Sequence, residues 1–330
     1  MLARLRGGRF LVVGRAGLDL YADPPGTAIE NATGFTAALG GSAANIAVAI
    51  ARQGGSCSLL TSVSDDAVGR YTLTALAGYG VGTERVKTIA GEVRTSLAVV
   101  ETRALNCQSV IYRNGAADFE MSETDADTVD YGSFSAIIVT GTALAREPSR
   151  RSTLKALDHA RTAGLVCIMD VDYRPYSWPS KAEAAAVCMK AARVCDVVVG
   201  NNDEFAVLAE GGSGLDCAAS LAREGGRIVV YKMGAEGCIT FANGAMFDTP
   251  IYPVRALKPT GAGDGFMGGL LSGLGSGATV EEAVRRGAAT AAIVVTRVGC
   301  APAMPTAEDV QHFMQSHHHG GHHSDAHSAA

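Results

Sequence analysis

Histidine is almost missing from the body of this 330-residue chain: His159 and His312 stand alone before residue 317, and the other six crowd into "SHHHGGHHSDAHSAA". His159 lies in the helical pattern "STLKALDHARTAG" with no nucleophile nearby, so Ser-His-Asp and Cys-His chemistry lack a base and a His-rich metal centre lacks ligands. Cysteine pairing is missing too. The eight cysteines are scattered with no C-x-x-C, and several sit in apolar runs such as "VCIMDVD", which excludes a zinc site and predicts buried thiols of a cytosolic protein. With a net charge of −5 and no long Lys/Arg run, nucleic acid is not an expected partner. No apolar run approaches the roughly 20 residues of a membrane span, and the basic start ends in a run, Phe10 to Val13, too short for a signal-peptide core. No G-x-x-x-x-G-K-[ST] occurs, and Gly261-x-Gly263-x-Gly265 is spaced wrongly for a dinucleotide G-x-G-x-x-G, so a Walker NTPase and a nicotinamide enzyme fit poorly.

What the chain does have is apolar residues, 47%, and glycine, 40 residues. That composition at this length supports one large α/β domain. Strand-like "FLVVG" (10–14) precedes the helical "SAANIAVAIARQG", with Ser42 as its expected N-cap, and "SLLTSV" (58–63) follows. The rhythm continues through strands at 136–142, 166–172, 197–200 and 227–234 with helices between them, which predicts a mostly parallel sheet in a three-layer α/β/α sandwich. Two stretches break the rhythm: "RAGLDLYAD" and "TSLAVVETRALNCQSVIYRNGAAD" alternate with period two and have no helix between strands. They predict lid segments near 15–36 and 93–120, forming a small antiparallel sheet over the carboxyl ends of the main strands. Residues 1–316 thus read as one lidded domain, and 317–330 as a disordered tail without a role.

Within "LKPTGAGDGFMGG", Gly261, Gly263 and Gly265 bracket Asp264 immediately before an apolar run. Glycines before a helix let backbone amides approach an anion closely, and a carboxylate there would compete with it. Asp264 is therefore either a helix cap or a group with chemical work beside an anion. Other polar residues fall where loops follow strands: Asp170, Asp172 and Arg174 in "DVDYRP", Asn201 and Glu204 in "GNNDEF", Lys232, Gly234 and Gly237 in "KMGAEG". In open α/β sheets ligands bind there.

Taken in order, "GGSAANIAVAIARQGG", "DVDYRP", N-x-x-E, "KMGAEG" and "PTGAGD" resemble the signatures of the ribokinase-like (PfkB-type) carbohydrate kinase family over about residues 10–315. Within the family, "DLYADPPG", "YRNGAAD", "TGTAL" and "DVDYRPYSW" are most similar to a kinase of a keto sugar acid in myo-inositol breakdown. The resemblance implies ATP and Mg²⁺ as cofactors and a primary hydroxyl as phosphoryl acceptor. It places Gly261, Ala262 and Gly263 in the anion hole, Asp264 as base, Arg174 near the nucleotide phosphates, and Asn201 and Glu204 at the waters around Mg²⁺. Lys232, Gly234 and Gly237 would approach the nucleotide; Asp19, Gly40, Gly41 and Asn45 would meet the sugar; Arg113 would clamp its carboxylate. Asp172 stands where Asn is common, and Lys258 where many members have an aspartate that helps bind a monovalent cation, so Lys258 is expected to replace that cation with its own charge. A homodimer through the lid is expected. Kinases of 2-keto-3-deoxygluconate or of neutral sugars such as ribose or fructose remain as alternatives, as does a non-catalytic sugar- or nucleotide-binding sensor.

Overall fold

β1 (Arg9–Val13), "RFLVV", is apolar on both faces and pairs in parallel on both sides, as a central strand of a doubly covered sheet must. Phe10 and Val12 point into one apolar layer while Leu11 and Val13 point into the other. The computed structural model describes residues 2–318. After β1 come β2 (Gly17–Asp23) and β3 (Gly34–Gly40), α1 (Ser42–Arg52), β4 (Ser56–Ser64), α2 (Ala67–Gly78), β5 (Val86–Ile89), β6 (Ser96–Val100) and β7 (Ser109–Tyr112). The second half holds α3 (Glu123–Asp127), β8 (Ala136–Thr140), α4 (Ser149–Thr162), β9 (Val166–Asp170), α5 (Lys181–Ala192), β10 (Val197–Asn201), α6 (Asn202–Leu208) and α7 (Gly214–Arg223). It closes with β11 (Ile228–Lys232), β12 (Cys238–Ala242), β13 (Ala245–Thr249), α8 (Ala262–Ser276), α9 (Val280–Val295) and α10 (Ala307–His318).

The main sheet has nine strands in the order β13-β12-β11-β10-β9-β8-β1-β4-β5. It is parallel from β5 to β11, and the last two strands fold back antiparallel. Helices α1, α8 and α9 cover one face, α4 to α7 the other. The three-layer expectation therefore holds, and every strand–helix alternation read from the sequence has its counterpart. The hairpin β12–β13 was not anticipated, because two short strands of mixed character carry little period-two signal.

The lid is a separate four-stranded sheet in the order β3-β2-β6-β7. β2–β3 and β6–β7 are antiparallel as expected, but β2 and β6 pair in parallel. The two insertions leave the main sheet at different points and reach the lid running the same way, a relation that strand patterning cannot reveal. β3 also extends the first lid segment to Gly40. At the other terminus α10 runs through His317, whose ring lies 4.0 Å from that of Phe313, so helix rather than tail begins the His-rich stretch; 319–330 lie outside the described residues.

Candidate active site

Gly261 is the N-cap of α8, with φ of 83°, a left-handed conformation that a side chain would strain. A Cβ there would also lie 2.9 Å from Cys300 Sγ. The first amides of α8, those of Ala262, Gly263 and Asp264, lack intrahelical acceptors, as at any helix start, and face the cleft from the positive end of the helix. Asp264 does not cap this helix. Its Oδ2 accepts from Asn45 Nδ2 of α1 at 2.8 Å instead, so a carboxylate and an anion-binding turn stand side by side. Burial pushes the Asp264 carboxyl up to about 7, helped by the charge of Asp172, while Asn45, Arg174 and Lys232 pull the other way.

Two lysines flank the turn. Lys232, at the end of β11, brings Nζ to 3.4 Å from where a Cβ on Gly263 would stand. Lys258 is fully buried, and its Nζ donates to the carbonyls of Thr260 at 2.5 Å and Val294 at 3.4 Å. Gly234 and Gly237 form the turn after β11 and line the same cleft.

The neighbouring strand ends supply carboxylates. Asn201 and Glu204 make a reciprocal capping box at the start of α6: Asn201 Oδ1 accepts from the Glu204 amide at 2.9 Å, and Glu204 Oε2 from the Asn201 amide at 2.7 Å. The capping role and a place in the cleft thus coexist. Arg174 reaches Asp172 at 2.8 Å and Glu204 at 3.9 Å. Asp172 sits at φ of 37°; its Oδ2 accepts from Ser42 Oγ at 2.6 Å and Thr142 Oγ1 at 2.8 Å and its Oδ1 faces Arg174 Nη2 at 2.8 Å, so both oxygens meet donors. An amide at that position would offer one acceptor oxygen only. Ser42 is correspondingly not the N-cap of α1; Gly41 is, and the serine hydroxyl is spent on Asp172.

The lid end is ionic. Asp19 is buried, its Oδ2 accepts from Tyr21 at 3.1 Å and its Oδ1 has no partner. Burial raises its carboxyl above the ordinary range. Gly40 leaves room for it, because a Cβ there would fall 1.9 Å from Asp19 Oδ1. Two expectations change here. Asn45 lines the cleft, but its amide nitrogen is committed to Asp264 and its Oδ1 is buried without a partner. Arg113 is not a free fork: Nε and Nη2 bind Asp118, Nη2 also donates to the Thr142 carbonyl at 3.0 Å, and the guanidinium stacks on Phe119. Only Nη1 is left, buried and without a partner.

The residues expected at the site, apart from Gly40 and Lys258, line one cleft of about 940 Å³ between lid and main sheet. Its far end is apolar, walled by Ile251, Val254, Ala288, Ala291 and Val295, none of which the sequence reading singled out. The run "TPIYPVRAL" after β13 held the signal: apolar residues interrupted by proline, too irregular for a strand and poorly placed for the core. Among the described residues no three His, Cys, Asp or Glu side chains converge to hold a metal directly. The carboxyls of Asp170, Asp172, Glu204 and Asp264 nevertheless gather around two cations, Arg174 and Lys232, and burial raises those of Asp170 and Asp264 above the ordinary range.

Residues 9–307 match the pfkB family carbohydrate kinase pattern. The chain belongs to this family. Among PfkB-family proteins it is 39% identical over 312 residues to the 5-dehydro-2-deoxygluconokinase of Photobacterium profundum, covering 93% of this chain and 94% of that one. It is 35% identical over 317 residues to the 5-dehydro-2-deoxygluconokinase of Geobacillus kaustophilus, covering 94% and 95%. Among solved structures, the fructokinase of Vibrio cholerae with fructose, ADP and potassium bound superposes with a TM-score of 0.82 at 27% identity, over 93% of this chain and 98% of that one. His159, meanwhile, pairs with Asp127 on the surface at 2.8 Å, far from the PfkB cleft residues.

Proposed function

We propose that the protein is an ATP- and Mg²⁺-dependent kinase that phosphorylates a primary hydroxyl of 5-dehydro-2-deoxygluconate, a keto sugar acid of myo-inositol breakdown. The observation that carries this reading is the 2.8 Å contact of Asn45 with Asp264, which aims the only carboxylate of the first α8 turn at the place where lid end and phosphate turn meet. The substrate oxygen attacks the γ-phosphorus as its proton passes to Asp264, and the bond to the β–γ bridging oxygen breaks, leaving ADP. The amides of Ala262, Gly263 and Asp264 hold charge that develops on the phosphoryl oxygens. Lys232 and Arg174 add positive charge on the phosphate side, and the apolar end takes the adenine. Asn201 and Glu204 would hold Mg²⁺ by way of water, and the ion would neutralise phosphate charge.

Lys258 fits the role of an internal monovalent cation. Its ammonium lies among carbonyl oxygens under the Gly261 turn with no carboxylate within 4.0 Å among the described residues. Both outer strands of the lid, β3 and β7, offer unpaired edges and exposed Phe35, Val110 and Tyr112, which supports a homodimer through the lid. No described helix is long and apolar enough to cross a membrane; the cysteines are all unpaired thiols, in keeping with a cytoplasmic enzyme.

An ADP-release assay over a panel of sugar acids and neutral sugars tests the reading. Turnover should be highest with 5-dehydro-2-deoxygluconate. Preference for 2-keto-3-deoxygluconate, ribose or fructose would reassign the substrate, and no turnover with any sugar would favour a binding protein.

A further inference from the structure

Arg15 is the one cleft arginine of the lid end whose charge is not already taken. It follows β1 and precedes β2, it is 8% exposed, and it lines the cleft beside Asp19. Its Nη1 donates to Ser96 Oγ at 3.0 Å. Among the described residues no carboxylate comes within 4.0 Å of it, whereas Arg113 is bound to Asp118 and Arg174 to Asp172. Asp19 is the opposite charge that faces it, beyond contact distance, so this buried guanidinium has no directly bonded anion unless a ligand supplies one.

Its placement is built rather than incidental. The Arg15 carbonyl accepts from the Ala44 amide at 3.2 Å, anchoring the residue to the first turn of α1. Gly41, at φ of 99°, lets the chain pass over it, since a Cβ there would lie 2.4 Å from the Arg15 carbonyl oxygen. Arg113 lines the same cleft and keeps a second uncommitted donor, Nη1, buried beneath its wall without a partner. Asp19, with Oδ1 unpartnered, offers an acceptor. The unspent groups of the lid end are therefore two guanidinium donors and one carboxylate acceptor. That set complements a ligand with a carboxylate at one end and hydroxyls beside it.

We propose that Arg15, assisted by Nη1 of Arg113, binds the substrate's carboxylate and makes the enzyme selective for sugar acids over neutral sugars. This deepens the reading of the protein as a sugar-acid kinase and rests on it. Asp118 and Phe119 hold Arg113 as the fixed wall of the subsite, and Arg15 supplies the net charge.

The test compares wild type, Arg15→Met and Arg15→Lys by ADP release with 5-dehydro-2-deoxygluconate and with fructose, and by thermal melting with and without each sugar. Arg15→Met should raise KM for the acid about 10- to 100-fold, the worth of a charge-assisted hydrogen bond, and leave KM for ATP within about twofold. It should melt near wild type without sugar but lose the upward shift that the acid confers. Arg15→Lys, keeping charge without the fork, should recover part of the acid affinity. A wild type that uses fructose as well as the acid would overturn the substrate reading itself. A wild type selective for the acid whose selectivity and melting shift survive in folded Arg15→Met would overturn the role of Arg15 alone. Should Arg15→Met fail to fold, Arg15→Lys with unchanged acid affinity and fructose discrimination overturns the proposal, and a selective loss of acid affinity supports it.

Discussion

At one end of the cleft a ligand would meet backbone amides of Ala262 to Asp264 and apolar side chains of α9; at the other it would meet buried ions, Asp19, Arg15 and Arg113. The first end is carried by the main sheet and its helices, the second by strands inserted from two distant parts of the chain. The difference teaches that the turn at the first end is set by chain path and glycine, with Asp264 and the flanking Lys232, Lys258 and Arg174 as the side chains it depends on. Sugar recognition, by contrast, is a balance of charges that only the assembled lid defines.

Breaking the junction between the two ends should have the largest effect. Asp264→Asn should keep the fold and ATP binding while lowering kcat on the order of 10²- to 10⁴-fold in the ADP-release assay, the range for a lost general base; near-normal turnover would remove Asp264 from the mechanism. The junction also titrates. Because burial raises the Asp264 carboxyl to about 7, the base is protonated below that pH, and kcat/KM should fall up to about tenfold per unit as pH drops below 7. The same shift means that the folded protein holds this proton more tightly than the unfolded chain. Its contribution to stability is therefore present at acid pH and lost as pH rises from the ordinary carboxyl range through about 7. Melting curves of Asp264→Asn should show that dependence flattened.

The backbone end is sharpened by Lys258. Lys258→Met, which keeps bulk and removes charge, should lower kcat about tenfold, and wild-type turnover should not change when K⁺ is replaced by a large organic cation at constant ionic strength. A severalfold activation of the wild type by K⁺ would refute the internal-cation role. Ala291→Phe, filling the apolar end, should raise KM for ATP several-fold and leave KM for the sugar acid alone. If both constants rise together, the two ends are not separable. The smallest effect is expected at the lid edge, where Tyr112→Lys should shift light scattering from dimer towards monomer with little change in kcat.

The phosphate end was legible because glycine spacing and one aspartate are local signals: a turn of this kind must be written in consecutive residues. Asp172, doubted from the sequence, shows how far such locality reaches. Its partners Ser42, which opens α1, and Thr142, just after β8, are 100 residues apart in the chain, and the value of a carboxylate over an amide there appears only when three donors converge on it. Arg113 failed as a free clamp for the same reason in reverse. Asp118, five residues on, takes its fork, and an i to i+5 pair outside regular structure has no sequence signature.

From the residues alone follow the alternating strands and helices, the two insertions that interrupt them, the glycine turn ahead of an apolar helix, and the placing of polar residues after strands. These are short-range consequences of periodicity and backbone freedom. Tertiary structure decided the parallel joining of β2 to β6, the apolar end of the cleft, the burial that sets Asp264 near neutrality, and which lid arginine remains uncommitted. The physical reason is that charge pairing and desolvation are summed over neighbours in space, and Arg15 meets Ser96, and Arg113 the Thr142 carbonyl, only in the folded chain.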